Sequence, residues 1–499
     1  MLWAASSILS QTAQTTPKPP SIDAKAKQTE AEKERKMRRE MEIQNLVLTA
    51  NTQPIEIAAD ILFGVLDAKL ITDQKRRRDI IEDLFRRASE AKEPFKLSFP
   101  GGNVDTRTGY RSMGLDQNLD SLSIQIRAVN LMLAIDKKRA REMFRDIPEL
   151  DLPPLGCEEP VGYEIYQFYR LLLAIVENTF APEARKRLEH VYFAAGYLDS
   201  MNSPAQLGPA IEFLLRVKVS QQEFDILLDS FATRLGKIRL DPRGFYLALM
   251  ARLSPEIKFI ATSKTELKSA QSRSLVKAYR NYLTRHLSAV QCADTLLTGT
   301  AEKPSPMIAF ANELFESPIT EDEIKPEKIE PGVKVFEFWQ NKKTKELIKN
   351  IKELRFVSTD EPGQWAVRSL GERSKQEWLE RLLKFLDQIN EWKPEDEETE
   401  SDYLHQKNVL YGGLVDLAPP GPLRSQVLQN YAIFLRDSRM QKESPIEWLY
   451  YVKRLLRLGK ALKGRDYDEF GTILTGAGSQ VFPLYFDLER LQKTETPRP

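Results

Sequence analysis

Histidine and cysteine are nearly absent, with three of the one and two of the other in 499 residues. His190, His286 and His405 stand alone, with no His-Glu-x-x-His pattern and no second imidazole four residues away, so no metal site is expected. His286 and Cys292 are six apart and would point to different faces of one helix. Cys157 and Cys292 are too few for a disulfide scaffold and too widely spaced for a Cys-x-x-Cys site. In an oxidising compartment a single bridge between them would close a loop of about 135 residues and contribute up to about 4–5 kcal/mol in the chain-entropy picture. In a reducing compartment both read as small buried hydrophobes. The residues alone leave both readings open.

An excess of charge is missing too: 73 basic side chains face 72 acidic ones, for a net charge of about +1. A general attraction to nucleic acid or anionic lipid is therefore not expected. Nor does any apolar run reach the roughly 18 residues that a membrane-spanning helix requires. No Gly-x-Ser-x-Gly elbow occurs, and the glycine-rich Gly471–Gly478 stretch lacks the lysine of a phosphate loop, so it reads as a helix end and turn. Nothing in the chain calls for a cofactor. With 41% apolar and 29% charged residues, what remains is an ordinary folded chain with a charged surface.

What the chain has is helix. Ile57, Ile61, Leu62, Val65, Leu66 and Leu70 recur at helical spacing, and a second helix with Ile80, Ile81, Leu84 and Phe85 follows Thr72-Asp73. The segment Asp73–Ile81 matches Asp136–Phe144 in its aspartate, basic run, acidic residue and apolar pair, 63 positions on. Each aspartate suits a helix N-cap, which makes a helical hairpin the building unit. The cations that follow oppose the helix dipole and read as a wet face. Proline after Ser203, Asp241 and Ser254 marks helix starts. Ser220…Glu223, Ser263…Glu266, Thr320…Glu323, Ser374…Glu377 and Ser444…Glu447 have capping-box spacing.

These signals predict an all-α fold, an irregular array of helical hairpins resembling an α-solenoid with very little strand. Residues 1–21 read as a signal segment or polar tail, since the apolar Met1–Leu9 gives way to a Thr/Pro-rich stretch without any basic residue before Lys18. Residues 22–50 read as a charged lead-in helix, 51–300 as an N-terminal array and 301–332 as a proline-containing acidic linker. Residues 333–490 follow as a C-terminal helical region with an acidic loop at 391–402, and 491–499 as a tail. Phe95 to Ser112 reads as a loop or small hairpin, and Val333 to Trp339 as a short strand.

At Leu152–Glu159, Ser203–Ala210 and Gln291–Asp294 the chain resembles a family of predicted exported, all-helical bacterial proteins to which no activity is attached. The resemblance spans Ser121 to Leu455. It implies helical architecture, export, and a pairing of Cys157 with Cys292, and it brings no catalytic residue. The chain departs from an exported pattern in lacking a basic segment before its apolar start.

Surface presentation is the expected role: a non-catalytic scaffold or interaction protein of the bacterial envelope with a protein partner. Its candidate surface is a ridge of Lys75, Arg76, Arg78, Lys138, Arg139 and Arg141, with Arg185–Arg187 as a further basic cluster. An all-helical hydrolase using two carboxylates is the enzymatic alternative, Glu158, Glu159, Asp466 and Asp468 being as eligible as any. A cytoplasmic polyanion binder is the third reading. The aromatic stripes Tyr163, Tyr166, Phe168, Tyr169 and Trp448, Tyr450, Tyr451 read as core rather than ligand cages.

Overall fold

The structure, a computed structural model, describes residues 22–98, 106–250, 252–264, 269–295, 306–333, 342–355, 372–394, 400–460 and 465–493. The expected signal segment, the strand at Val333 to Trp339 beyond its first residue, and the centre of the 391–402 loop lie outside them. Among the described residues the chain is all-α, with 23 α-helices and four strands of two or three residues.

The N-terminal helices are α1 (Ile22–Asn51), α2 (Ile55–Asp67), α3 (Gln74–Arg87), α4 (Thr106–Leu115), α5 (Ser121–Leu133), α6 (Lys137–Arg145) and α7 (Tyr166–Asn178). Then come α8 (Pro182–Lys186), α9 (Glu189–Asp199), α10 (Leu207–Arg216), α11 (Gln221–Leu235), α12 (Pro242–Met250), α13 (Leu253–Phe259), α14 (Ala270–Ser288) and α15 (Pro306–Asn312). The C-terminal set is α16 (Lys342–Arg355), α17 (Glu372–Glu391), α18 (Glu400–Leu417), α19 (Pro422–Asp437), α20 (Met440–Glu443), α21 (Pro445–Lys460), α22 (Arg465–Gly476) and α23 (Val481–Lys493).

Helix starts follow the expected chemistry. Asp73 caps α3 through the Arg76 N–H at 2.7 Å, and Asp136 caps α6 through the Arg139 N–H at 3.0 Å. Ser220 and Glu223 close a capping box at α11, and the Thr320 N–H donates to the Glu323 carboxylate at 2.9 Å at the head of a short 3-10 turn. Two expected boxes fail. Ser374 lies inside α17, and Glu447 turns away from Ser444 toward His405 and Arg111. Part of the Ser263…Glu266 pair lies outside the described residues.

The segment read as a loop or hairpin around Phe95 to Ser112 contains α4 instead, and its strand, β1 (Leu97–Ser98), pairs antiparallel with β2 (Gly162–Tyr163) far along the chain. A Cβ on Gly114 would lie 3.1 Å from the Glu447 backbone, so this glycine permits close packing of α4 on α21.

The array also does not run on as an open solenoid. Its last helices return to its first: α23 packs on α1 and α2, and α21 on α2 and α4. The cause is α2, where Glu56, Ala58, Ala59 and Phe63 are buried along with the expected Ile57, Ile61, Leu62, Val65 and Leu66. A helix apolar on every side needs cover on every side. Burying each large apolar side chain contributes about 1.5–3 kcal/mol, and one contiguous core runs from Ile43 to Leu491. Helices of the 51–300 and 333–490 stretches thus share it.

A polar clasp pins this closure. Asp60 of α2 receives Lys453 of α21 at 2.6 Å and the Tyr485 hydroxyl of α23 at 2.5 Å. Gly64, one turn further along α2, lies where a Cβ would come within 2.9 Å of Leu488 of α23. Replacing Asp60 with alanine leaves the partly buried Lys453 without its carboxylate and is expected to lower the unfolding free energy by about 2–3 kcal/mol. Urea denaturation checks this, and Lys453→Met should restore part of the loss in the double variant.

Candidate functional site

The basic ridge is the site that the sequence nominates, and the structure divides it. Arg78 of α3 pairs with Asp136 at 3.2 Å, and Arg139 of α6 pairs with Glu82 of α3 at 2.9 Å. The two matching segments therefore lie side by side and cross-link one another. Arg141 donates to the Thr179 carbonyl at 2.8 Å, with its guanidinium 4.6 Å over the Phe180 ring. Lys75 and Lys138 are exposed and Arg76 is half-buried, so three of the six cations remain outward.

Several other arginines share one task. The last carbonyls of an α-helix have no partner within it and need donors from elsewhere. Arg77 reaches the Leu66 carbonyl at the end of α2, and Arg87 those of Asn51 and Gln53 after α1. Arg185 takes Val176 and Glu177 at the end of α7, both at 2.6 Å. Arg285 bonds the Gly236 and Ile238 carbonyls after α11, Arg424 that of Ala418 after α18, and Arg436 that of Ala477 after α22. Lys407 does the same for α17, reaching Trp392 at 2.9 Å, and burial lowers its pKa to about 8. Sequence reasoning took the Arg77 and Arg185 runs for a wet face because their acceptors lie on other elements.

All three histidines are buried and join helices. His190 Nε2 lies 3.2 Å from Glu223, linking α9 to α11. His405 Nε2 lies 3.3 Å from Glu447 and its Nδ1 meets the Tyr451 hydroxyl, linking α18 to α21. His286 stacks on Phe245 at 4.8 Å, and burial, with Arg285 beside it, depresses its pKa to about 3. The carboxylates singled out as candidates are not brought together: Glu158, Glu159 and Asp468 are exposed, and the Asp466 side chain is outside the described residues. Among the described residues no group of three or more His, Cys, Asp or Glu could hold a metal ion. Phe168, Tyr169, Trp448 and Tyr451 are buried core.

A different set converges around the cysteines. Cys157 and Cys292, both buried, are joined with their Cα atoms 5.3 Å apart. Cys292 ends β3 (Val290–Cys292), which runs parallel to β4 (Lys328–Glu330) with Cys292 opposite Glu330. Buried Arg243 doubles the joint, bonding the Cys157 carbonyl and the Asp294 carboxylate, the latter at 3.0 Å. A cleft of about 320 Å³ lies beside it, lined by Gly156, Asp241, Pro242, His286, Val290 and Glu330 among others. Asp241 caps α12 through the Gly244 N–H at 2.8 Å, and burial raises its pKa to about 6. The titratable groups here hold a helix end and a ring stack, so the cleft is built as a joint.

Comparison with known proteins finds no family model, curated protein or solved structure that matches the chain. Function therefore rests on the geometry.

Two predictions follow from the joint. Cys157→Ala/Cys292→Ala frees a loop of 135 residues and is expected to lower stability by up to about 5 kcal/mol, measured by thermal unfolding with and without reductant. Asp241 has a folded pKa above its unfolded value of 3.8, so its contribution is fully present below pH 3.8 and is lost as pH rises through about 6. Asp241→Asn keeps a competent N-cap and removes the buried charge. It should gain on the order of 1–3 kcal/mol over the parent at pH 7.5 and nothing at pH 3.5, read from denaturation at both pH values.

Proposed function

We propose that the protein is a non-catalytic helical scaffold of the bacterial envelope that presents a fixed surface to a protein partner. The observation carrying this reading is the engagement of its buried ionisable groups: His190, His405, Lys407 and the carbonyl-bonding arginines tie one helix to another, and Asp241 caps the start of α12. A buried disulfide bridging 135 residues suits an oxidising compartment. The outward half of the ridge, Lys75, Arg76 and Lys138, is the contact surface, and its chemistry fits an acidic face on the partner. The enzymatic alternative has one observation in its favour, since Asp241 and Glu330 line the same cleft. Asp241 already holds the start of α12 with one oxygen, which favours the structural role.

Cell fractionation with intact-mass measurement tests the reading together with site-specific photo-crosslinking from position 138. The expected result is an envelope-fraction protein two hydrogens lighter than its all-thiol form. It should crosslink to one acidic protein, and the crosslink should weaken severalfold in Lys75→Glu/Arg76→Glu as rim charges tune association. A reduced cytoplasmic protein, or crosslinking insensitive to those reversals, contradicts it.

A further inference from the structure

A second cleft, of about 330 Å³, lies between α9 and the chain leaving α6, with Arg145 one helical turn beyond Arg141 of the ridge. Arg145, Glu149, Phe193, Gly196, Tyr197 and Ser200 are among the residues that line it. Behind them stands an aromatic cluster, with Phe193 and Tyr197 5.1 Å apart edge to face and both packed against Phe144. Its volume falls at the lower end of small-molecule sites, and its walls have their usual composition of aromatic surface with a few polar groups.

Two features have no internal explanation. The first is Gly196, inside α9, where a Cβ would meet nothing within 4 Å and where φ is not positive. A mid-helix glycine lowers helix stability relative to alanine, so open space above it brings no benefit to the fold. The glycine instead keeps the cleft floor clear between two aromatic rings. The second is a pair of opposite charges at the rim. Arg145 lies 5.4 Å over the Phe193 ring, and neither Arg145 nor Glu149 forms an ion pair among the described residues. Arg145 and Glu149 are both exposed at the cleft rim, so their charges face whatever enters it.

We propose that this cleft binds a small aromatic zwitterion, an α-amino acid with an aromatic side chain. The ring enters over Gly196 and packs against Phe193 and Tyr197, where offset or edge contacts with the ligand ring are favourable. Arg145 takes the carboxylate with its planar fork of donors, and Glu149 takes the ammonium. The Ser200 hydroxyl offers a further hydrogen bond. One cation and one anion at the rim select a ligand that carries both.

Isothermal titration calorimetry of the full chain with L-phenylalanine tests this, with phenylacetate, phenethylamine and L-alanine as ligands lacking the ammonium, the carboxylate and the ring. Phenylalanine should bind, and each truncated ligand should bind at least about tenfold more weakly, the loss expected for one unmatched charge or ring. Arg145→Gln should weaken phenylalanine by about tenfold and leave phenethylamine unchanged. Gly196→Leu fills open space with a better helix former, so its unfolding midpoint should equal or exceed the parent's while phenylalanine binding is lost. The proposal is overturned if phenylalanine gives no heat up to about 10 mM, a range that covers weak millimolar binding. It is equally overturned if Gly196→Leu folds normally and still binds, or if all four ligands bind alike.

Discussion

The free carbonyls at helix C-termini are the constraint on which this fold depends. Short helices make many ends, and with 23 α-helices among the described residues the chain has to satisfy each of them inside or beside a packed core. A residue in the left-handed region is the usual solution, and among the described residues Lys69, Asn118, Leu188, Arg252, Gly421 and Gly478 have positive φ. Arginine supplies further donors. Arg77, Arg87, Arg185, Arg285, Arg424 and Arg436 each reach carbonyls that follow or end another segment. Such a bond closes two accounts at once: it satisfies the acceptor and fixes the position of the helix that carries the arginine. Cations also suit the negative end of the helix dipole, so charge and hydrogen bonding act together.

Closure of the array follows from the same economy of short elements. No single hairpin can bury α2, which is why α21 and α23 come back to cover it and why the Asp60 clasp sits between the three. The disulfide performs a comparable task around α12, where Arg243 supplies a second, non-covalent tie between the two cysteine segments. Rigidity of this kind suits a surface that must stay in one shape. Against that background the outward Lys75, Arg76 and Lys138 face solvent, and Arg145 and Glu149 form no ion pair among the described residues, Arg145 lying instead over the Phe193 ring.

Local signals were legible in the sequence, and tertiary ones were not. Asp73, Asp136 and Ser220 announce helix starts because the cap and the N–H that donates to it lie within three residues. Acceptors of the arginines lie up to 49 residues away, so their runs read as a solvated face. Glu447 shows the competition directly: spacing assigns it to Ser444, but His405 and Arg111 approach from α18 and α4 and engage it instead. The α4 helix was hidden because Gly109 lies inside it, where a glycine flanked by Thr108 and Tyr110 reads as a turn signal. Nothing in the spacing of Arg145, Glu149 and Gly196 marks them as neighbours, because the cleft forms only when α9 docks against the end of α6.

Equilibrium urea unfolding of two sets of single variants tests the central claim most directly. One set is Arg77→Met, Arg185→Met and Arg285→Met, which keep the aliphatic stem and remove the donors. The other is Lys75→Met and Lys138→Met on the same kind of helix surface. The account predicts that each arginine variant loses about 1.5–3 kcal/mol, the cost of leaving partly buried carbonyls without a charged donor, while each lysine variant stays within about 0.5 kcal/mol of the parent. Equal, small effects in both sets would contradict it.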